Sequence, residues 1–156
     1  MYVAVVGSAD ATNAVAALAT EVGALIAKSG ATLVCGGLGG VMEAACRGAK
    51  SEGGTTVGIL PGTRRNDANE YVDIALPTGL GEARNALVVR AADVVIAVAG
   101  EFGTLSEIGL ALKMATPVVG LGTWELLKGG EPVDAIRRAA TPAEAVELAL
   151  SLAGRA

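Results

Sequence analysis

Residues 93–115, DVVIAVAGEFGTLSEIGLALKMA, decide the fold of this chain. The apolar run at residues 94–98 predicts a strand that is buried on both faces of a parallel sheet. The run breaks at residues 99–103, and a helix is expected to begin at Thr104. A helix that follows a strand directly presents unpaired N–H groups and the positive end of its dipole at one point. The stretch therefore predicts a site for a phosphate or a carboxylate.

The segments before this stretch alternate between strands and helices. Strands are predicted at residues 2–6, 32–35 and 55–60, separated by a helix that ends before Gly30 and by a second helix at about residues 41–51. This order is typical of right-handed crossovers in a parallel α/β sheet. We expect one α/β domain over residues 1–156, because no linker or internal repeat divides the chain.

The alternation is interrupted after the third strand. A polar surface loop is predicted at residues 63–70, followed directly by a fourth strand at residues 71–76. The remaining predicted elements are a helix at about residues 81–92, a buried strand at 117–121, a helical turn around Trp124 at 123–128 and a short strand at 138–140. Thr141-Pro142-Ala143-Glu144 has the spacing of a capping box with proline in the first helical position, so a last helix should begin there.

Composition excludes several classes of function. The chain is 52% hydrophobic with a net charge of −4, and it has no basic run, so polymeric nucleic acid is not an expected partner. No apolar run reaches the roughly 20 residues that span a bilayer, and no signal peptide precedes the first strand, so a soluble, cytoplasmic protein is expected. The absence of histidine excludes Ser-His-Asp triads and His-ligated zinc sites, and no metal site is expected. Cys35 and Cys46 are expected to be reduced, buried thiols.

Three glycine-bearing turns follow strands, at Gly7-Ser8, at residues 36–40 and at residues 100–103. In a parallel sheet they lie at the same carboxyl edge, where open α/β folds bind ligands. Together they predict a nucleotide-sized anionic ligand, although each glycine alone could serve only backbone geometry. The first turn lacks the G-x-G-x-x-G pattern and the third lacks the lysine of a Walker A loop, so a standard NAD or P-loop site is not expected.

Arg84 is the predicted phosphate ligand. It begins an apolar stripe with Leu87, Val88 and Ala91 on one face of the predicted helix. Arginine is rarely buried without a partner, so near the carboxyl edge its guanidinium could hold a phosphate. The alternatives are an ion pair with a carboxylate such as Glu107, or a guanidinium that reaches solvent.

Glu107 has two possible roles. Thr104 and Glu107 have the T-x-x-E spacing of a capping box, in which the glutamate would accept a hydrogen bond from the N–H of Thr104. The carboxylate could instead take part in chemistry at the predicted anion site.

Two loops resemble those of a known family. Gly36-Gly37-Leu38-Gly39-Gly40-Val41-Met42 and Gly100-Glu101-Phe102-Gly103-Thr104-Leu105-Ser106-Glu107 are similar to the hallmark loops of the Lonely Guy-like proteins, G-G-x-x-G-x-M and P-G-G-x-G-T-x-x-E. The resemblance spans about residues 2–121. Residues 78–85, TGLGEARN, are most similar to the branch that contains the molybdenum cofactor carrier protein.

The resemblance implies a fold and two functions. The fold would be a Rossmann-like three-layer sandwich with a mainly parallel sheet of about six or seven strands. One function is the binding or carriage of a phosphorylated nucleotide or pterin, such as the molybdenum cofactor, with no cofactor required for activity. The other is a phosphoribohydrolase that releases base and ribose 5-phosphate from nucleoside monophosphates, with Arg84 and Glu107 catalytic. Binding is favoured, because the hydrolases carry an Arg-Lys pair where this chain has Arg84-Asn85.

The expected ligand-binding residues combine the motifs and the resemblance. They are Gly7, Ser8, Gly36, Gly37, Gly39, Gly40, Met42, Thr78, Arg84, Asn85, Gly100, Gly103, Thr104 and Leu105. The resemblance also implies a homo-oligomer, a dimer or a tetramer. The predicted helix after Thr104 agrees, because Lys113 is its only charged residue beyond Glu107 and its apolar surface needs a cover on both sides. The final helix of the same chain is the alternative cover. Lysine decarboxylation is not expected, because none of the lysines lies in a glycine-rich turn that could present a Schiff-base amine.

Overall fold

The computed structural model describes residues 1–154 and builds them around one parallel sheet. Within these residues, seven strands pair in the order β4-β3-β2-β1-β5-β6-β9, and every pair is parallel. The strands are β1 (Tyr2–Gly7), β2 (Thr32–Cys35), β3 (Thr56–Leu60), β4 (Ile74–Pro77), β5 (Val94–Val98), β6 (Val118–Leu121) and β9 (Ile136–Ala139), with a separate hairpin of β7 (Leu127–Lys128) and β8 (Glu131–Pro132). The predicted α/β class and parallel sheet are confirmed.

Helices cover both faces of the sheet and complete three layers. They are α1 (Asn13–Lys28), α2 (Val41–Ser51), α3 (Asn85–Arg90), α4 (Phe102–Lys113) and α5 (Pro142–Ala153). Helices α1, α2 and α5 pack over one face, and α3 and α4 over the other, with a separate apolar cluster beneath each group. All five residues of β5 are buried, as expected for a central parallel strand. Cys35 and Cys46 are also buried and free, with their sulfur atoms 3.5 Å apart.

The strand order reverses between β1 and β5. The chain runs from β1 outward to the edge strand β4 and then crosses back to β5, which pairs with β1. The connection after β1 leads to α1 on one face, and the connection after β5 leads to α4 on the other. Diverging connections open a crevice at the carboxyl ends of the two strands, the usual ligand position in open α/β sheets.

The helix after β5 begins earlier than the sequence predicted. Helix α4 starts at Phe102 with Glu101 as its N-cap residue, two residues before the expected start at Thr104. The helix expected at residues 81–92 is divided into a 3-10 turn (Gly81–Arg84) and the short α3. On α3 the buried pair is Val88 and Val89, whereas Leu87 is 41% exposed. The predicted stripe is therefore wrong at Leu87 and at Ala91, which is exposed and lies just beyond α3, because the change of helix type rotates the residues that follow it.

Two predictions near the carboxyl-terminal end have different outcomes. The helical turn expected at residues 123–128 is wrong, because this segment runs into the β7–β8 hairpin, whose turn is formed by Gly129 and Gly130 with positive φ. The cap of α5 is confirmed at Thr141, whose hydroxyl accepts from the N–H of Glu144. The Glu144 carboxylate accepts from the N–H of Ala140 rather than from that of Thr141.

None of the helices in residues 1–154 combines the length and the apolar character needed to cross a membrane.

Candidate ligand pocket at the carboxyl edge of the sheet

A cavity of about 520 Å³ lies at the crevice between β1 and β5. This volume is within the range of pockets that hold a nucleotide-sized ligand. Five separate connections supply its walls: those after β1, β2, β3 and β5, and the turn that precedes α3. The lining residues are Gly7, Ser8, Ala9, Asp10, Leu38, Met42, Pro61, Glu82, Arg84, Asn85, Glu101, Gly103, Thr104 and Glu107.

Arg84 enters the cavity from the last position of the 3-10 turn and is only 7% exposed. Its guanidinium lies against Gly36, where any side chain would collide with the nitrogen atoms. Its Nε is buried and has no hydrogen-bond partner among the described residues, and Arg84 makes no ion pair within that part of the chain. Burial lowers the pKa of Arg84, and the nearby Glu107 and Cys35 oppose this shift. An arginine held this way has unused donors for an anion.

Glu107 lines the same cavity from the second turn of α4 and is also 7% exposed. Burial raises the pKa of its carboxyl group to about 7, although Arg84 acts in the opposite direction. The capping-box interpretation is wrong, because α4 begins at Phe102 and no side chain of the described residues caps it. Glu107 therefore lies beyond the first turn and is available to the cavity.

The first turn of α4 brings unpaired backbone donors to the cavity. The N–H groups of Phe102, Gly103 and Thr104 precede the first intrahelical hydrogen bond, which runs from Leu105 N–H to the carbonyl of Glu101. Gly103 and Thr104 line the cavity. The positive end of the α4 dipole thus acts together with Arg84 to favour an anion.

The glycine loop after β2 shapes the cavity from behind. Gly40 has a φ of +63°, and a Cβ at this position would collide with the Ser8 carbonyl. The same carbonyl accepts a hydrogen bond from Val41 N–H at 3.0 Å. This hydrogen bond therefore links the start of α2 to the loop that follows β1. Leu38 of this loop and Met42 in the first turn of α2 line the cavity.

Sequence comparisons assign the family. Residues 1–146 match the profile of the SLOG cluster4 family. The chain belongs to the SLOG cluster4 family. This confirms the expected Lonely Guy-like superfamily.

The similar proteins include one that binds and one that carries the molybdenum cofactor. The molybdenum cofactor binding protein from Rippkaea orientalis is 39% identical, with a TM-score of 0.87 over 97% of this chain and 96% of that one. The molybdenum cofactor carrier protein of Chlamydomonas reinhardtii is 36% identical, with a TM-score of 0.83 over 98% of both chains. An uncharacterized protein of Archaeoglobus fulgidus is 41% identical over 97% of this chain and 95% of its own length.

In this SLOG chain the cavity brings together eight of the residues expected from sequence. They are Gly7, Ser8, Met42, Arg84, Asn85, Gly103, Thr104 and Glu107. Seven others are near it in the fold but are not among its lining residues: Gly36, Gly37, Gly39, Gly40, Thr78, Gly100 and Leu105. Thr78, for example, donates its hydroxyl to the Leu60 carbonyl and so joins β4 to β3.

Sequence reasoning missed part of the lining. Ala9, Asp10, Leu38 and Pro61 were not singled out, although each follows a predicted strand within a few residues. Glu82 lies in the TGLGEARN motif, in which only Thr78, Arg84 and Asn85 were predicted to bind the ligand. The position of these residues just after strand ends is the signal that could have found them.

The cavity of this SLOG protein is rich in carboxylates. Asp10, Glu82 and Glu101 are exposed at its rim, Glu107 is buried inside it, and Arg84 is the cation among the lining residues. None of the three rim carboxylates forms an ion pair with another described residue. Across residues 1–154, no group of three or more cysteine, aspartate or glutamate side chains is arranged to hold a metal ion. An anionic ligand therefore depends on Arg84 and the α4 amides for its affinity.

Proposed function

We propose that this protein binds and carries the molybdenum cofactor, with the phosphate of the pterin ligand on Arg84 and the first turn of α4. One observation supports this most strongly: Arg84 is 7% exposed, and its Nε has no partner among the described residues. A buried donor without an acceptor costs free energy, which an anionic ligand would recover.

Three further observations support the proposal. The cavity of about 520 Å³ is large enough for a pterin that carries a phosphate. Leu38, Met42 and Pro61 supply apolar contacts for a ring system. Two of the similar structures belong to proteins described as binding or carrying the molybdenum cofactor, and both align with nearly the whole chain.

A retention assay tests the proposal. The purified protein is incubated with molybdenum cofactor and passed through a desalting column, and the retained pterin is oxidised and measured by fluorescence. Wild type should retain the cofactor, and Arg84→Gln should bind at least tenfold more weakly, because it removes a charge-assisted contact. Arg90→Gln is the matched control, since Arg90 lies on the adjacent α3 but is exposed.

Two outcomes would contradict the proposal. One is a wild-type protein that retains no more pterin than an unrelated protein. The other is equal retention by wild type and Arg84→Gln. Circular dichroism of Arg84→Gln separates a lost ligand contact from lost folding.

A second function is favoured by one observation, the pKa of about 7 at Glu107. A buried carboxylate with this pKa can act as a general base near neutral pH. In a phosphoribohydrolase, Glu107 would take a proton from water, and the water oxygen would bond to the anomeric carbon as the bond to the base breaks. The nitrogen of the departing base would then take up the proton that Glu107 removed. The products would be the free base and ribose 5-phosphate, and Arg84 would hold the phosphate.

Adenine release from AMP tests the hydrolase. The kcat/KM for adenine release should rise as pH increases through about 7, because this ratio reports the free enzyme, in which Glu107 must lose its proton to act as a base. Glu107→Gln should abolish adenine release while AMP still binds. If wild type releases no adenine from AMP, the hydrolase is wrong for this substrate.

A further inference from the structure

A second groove lies next to the candidate pocket. It has a volume of about 340 Å³ and is lined by Ala99, Gly100, Glu101, Gly122, Thr123 and Trp124. These residues follow β5 and β6, so the groove lies on the far side of β5 from the connections that follow β1 and β2. Glu101 lines both cavities. The two spaces therefore meet at the residue that caps α4.

An aromatic pair lies at one side of this groove: Trp124 lines it, and the ring of Phe102 contacts Trp124. The rings of Phe102 and Trp124 lie 5.5 Å apart between centroids and are tilted by 40°. Phe102 is 75% exposed, and Trp124 is half-buried. They are the single phenylalanine and the single tryptophan of the chain, and neither belongs to the fully buried core. Trp124 packs partly against the apolar cluster beneath α3 and α4 and also lines the groove, so together with the exposed Phe102 it offers an aromatic surface to another ring.

The backbone holds the indole in place. Trp124 donates its ring N–H to the Glu101 carbonyl at 3.3 Å, and the Thr123 hydroxyl donates to the carbonyl of Ala99. Ala99 has a φ of +48°, which is uncommon for a residue other than glycine and occurs more often at functional sites. The ring is thus oriented before any ligand arrives, which lowers the entropy cost of stacking.

Glu101 supplies a polar contact beside the aromatic pair. Its backbone caps α4, but its side chain makes no capping hydrogen bond and no ion pair among residues 1–154. The exposed carboxylate of Glu101 is screened by water, and it would accept hydrogen bonds from the N–H groups of a heterocycle, while a linking phosphate would be held on Arg84. The groove therefore suits a neutral ring with donors on its edge.

We propose that this groove is a second subsite, which binds a planar heterocycle joined through phosphate to the group in the main pocket. The ligand class is thus a dinucleotide, with one ring on each side of the point where the strand order reverses. This proposal rests on the proposed function, because it places the shared phosphate at Arg84. Open α/β sheets bind dinucleotides across the crevice in this way.

The fluorescence of Trp124 tests the proposal, because Trp124 is the only tryptophan in the chain and a change in tryptophan fluorescence therefore reports on this residue. Wild type is titrated with AMP, ADP and diadenosine diphosphate, which differ in the second phosphate and then in the second ring. Diadenosine diphosphate should quench the fluorescence and bind at least fivefold more tightly than ADP, because a stacked base contributes on this scale. AMP and ADP should bind without comparable quenching.

Variants separate the subsite from the main pocket. In calorimetry, Trp124→Leu should bind diadenosine diphosphate no more tightly than ADP, and its affinity for AMP should equal that of wild type. Phe102→Ala keeps the indole and should reduce the quenching. Leu127→Ala is the control, because Leu127 is 70% exposed nearby but lines neither cavity.

The outcomes distinguish the two proposals. If ADP and diadenosine diphosphate bind wild type equally and leave the fluorescence unchanged, the subsite is wrong while the phosphate site stands. If Trp124→Leu keeps the full preference for the dinucleotide, the second ring binds elsewhere and the subsite is again wrong. If no nucleotide binds, the subsite is wrong, and the phosphate site is judged separately by the cofactor-retention assay.

Discussion

Replacement of Glu107 by glutamine should change how the stability of the fold depends on pH. Burial raises the pKa of this carboxyl group from its ordinary value of 4.5 to about 7. Between these two values, the unfolded chain binds fewer protons at this position than the folded chain does. The free energy of unfolding therefore falls as pH rises from about 4.5 to about 7, and the loss is complete above that range.

The size of the effect follows from the same shift. Each pKa unit corresponds to 1.36 kcal/mol, so the buried charge costs the folded state about 3 kcal/mol above pH 7. Glutamine has nearly the same shape and cannot ionise. The advantage of Glu107→Gln over wild type should therefore grow by about 2–3 kcal/mol between pH 5 and pH 8, which for a chain of this length corresponds to roughly 4–12 °C in Tm.

Urea denaturation followed by circular dichroism at several pH values measures this change. Comparing the variant with wild type at each pH cancels any constant effect of the substitution on packing. Glu147→Gln is the control, because Glu147 is an exposed helical glutamate on α5. Asp73 does not interfere: although burial opposes the shift, hydrogen bonds from Lys50 and Thr56 lower its pKa below 3.8, outside the window. Parallel stability curves for Glu107→Gln and wild type would refute the reasoning.

Two further predictions concern packing and assembly. Gly48→Ala should destabilise the fold by about 2 kcal/mol or more in urea denaturation, because its Cβ would collide with the Thr20 carbonyl where α2 packs on α1. Gly109→Ala, at an open position on α4, should be neutral or slightly stabilising, and equal losses in both variants would contradict the packing argument. Leu112→Glu should lower the mass measured by light scattering if α4 forms a subunit interface, and a monomeric wild type would show that it does not.

The central elements of the fold could be predicted because their signals are local. A run such as residues 94–98 is apolar at every position, and only a strand covered on both faces buries such a run completely. The glycine turns that follow the strands are also local signals, and they indicated the carboxyl edge of the sheet. Arg84 was identified because its charge begins an apolar stripe, and Glu107 because of its T-x-x-E spacing and the resemblance of its loop, and both line the same cavity.

The missed features depend on contacts between distant segments. The start of α4 at Phe102 was not predicted, because threonine is a preferred N-cap residue and Thr104 was taken as the start. The hydrogen bond from Trp124 to the Glu101 carbonyl joins residues that are distant in sequence, so no local pattern indicates it. The β7–β8 hairpin replaced a predicted turn for a similar reason: its strands have two residues each and show no periodicity. Rim residues such as Asp10 and Glu82 become neighbours only when the connections converge.

The proton on Glu107 relates the two proposed functions to each other. The rim carboxylates are exposed and screened by water, so the buried charge of Glu107 has the larger effect on an anion in the cavity. Arg84 is the group that lowers the pKa of Glu107. A phosphate on Arg84 would compensate that positive charge and add negative charge nearby, so it would raise the pKa of Glu107 further. Ligand binding would then keep Glu107 protonated, a state that accommodates the anion but cannot remove a proton from water. The electrostatics of the pocket therefore favour a protein that holds its ligand over one that hydrolyses it.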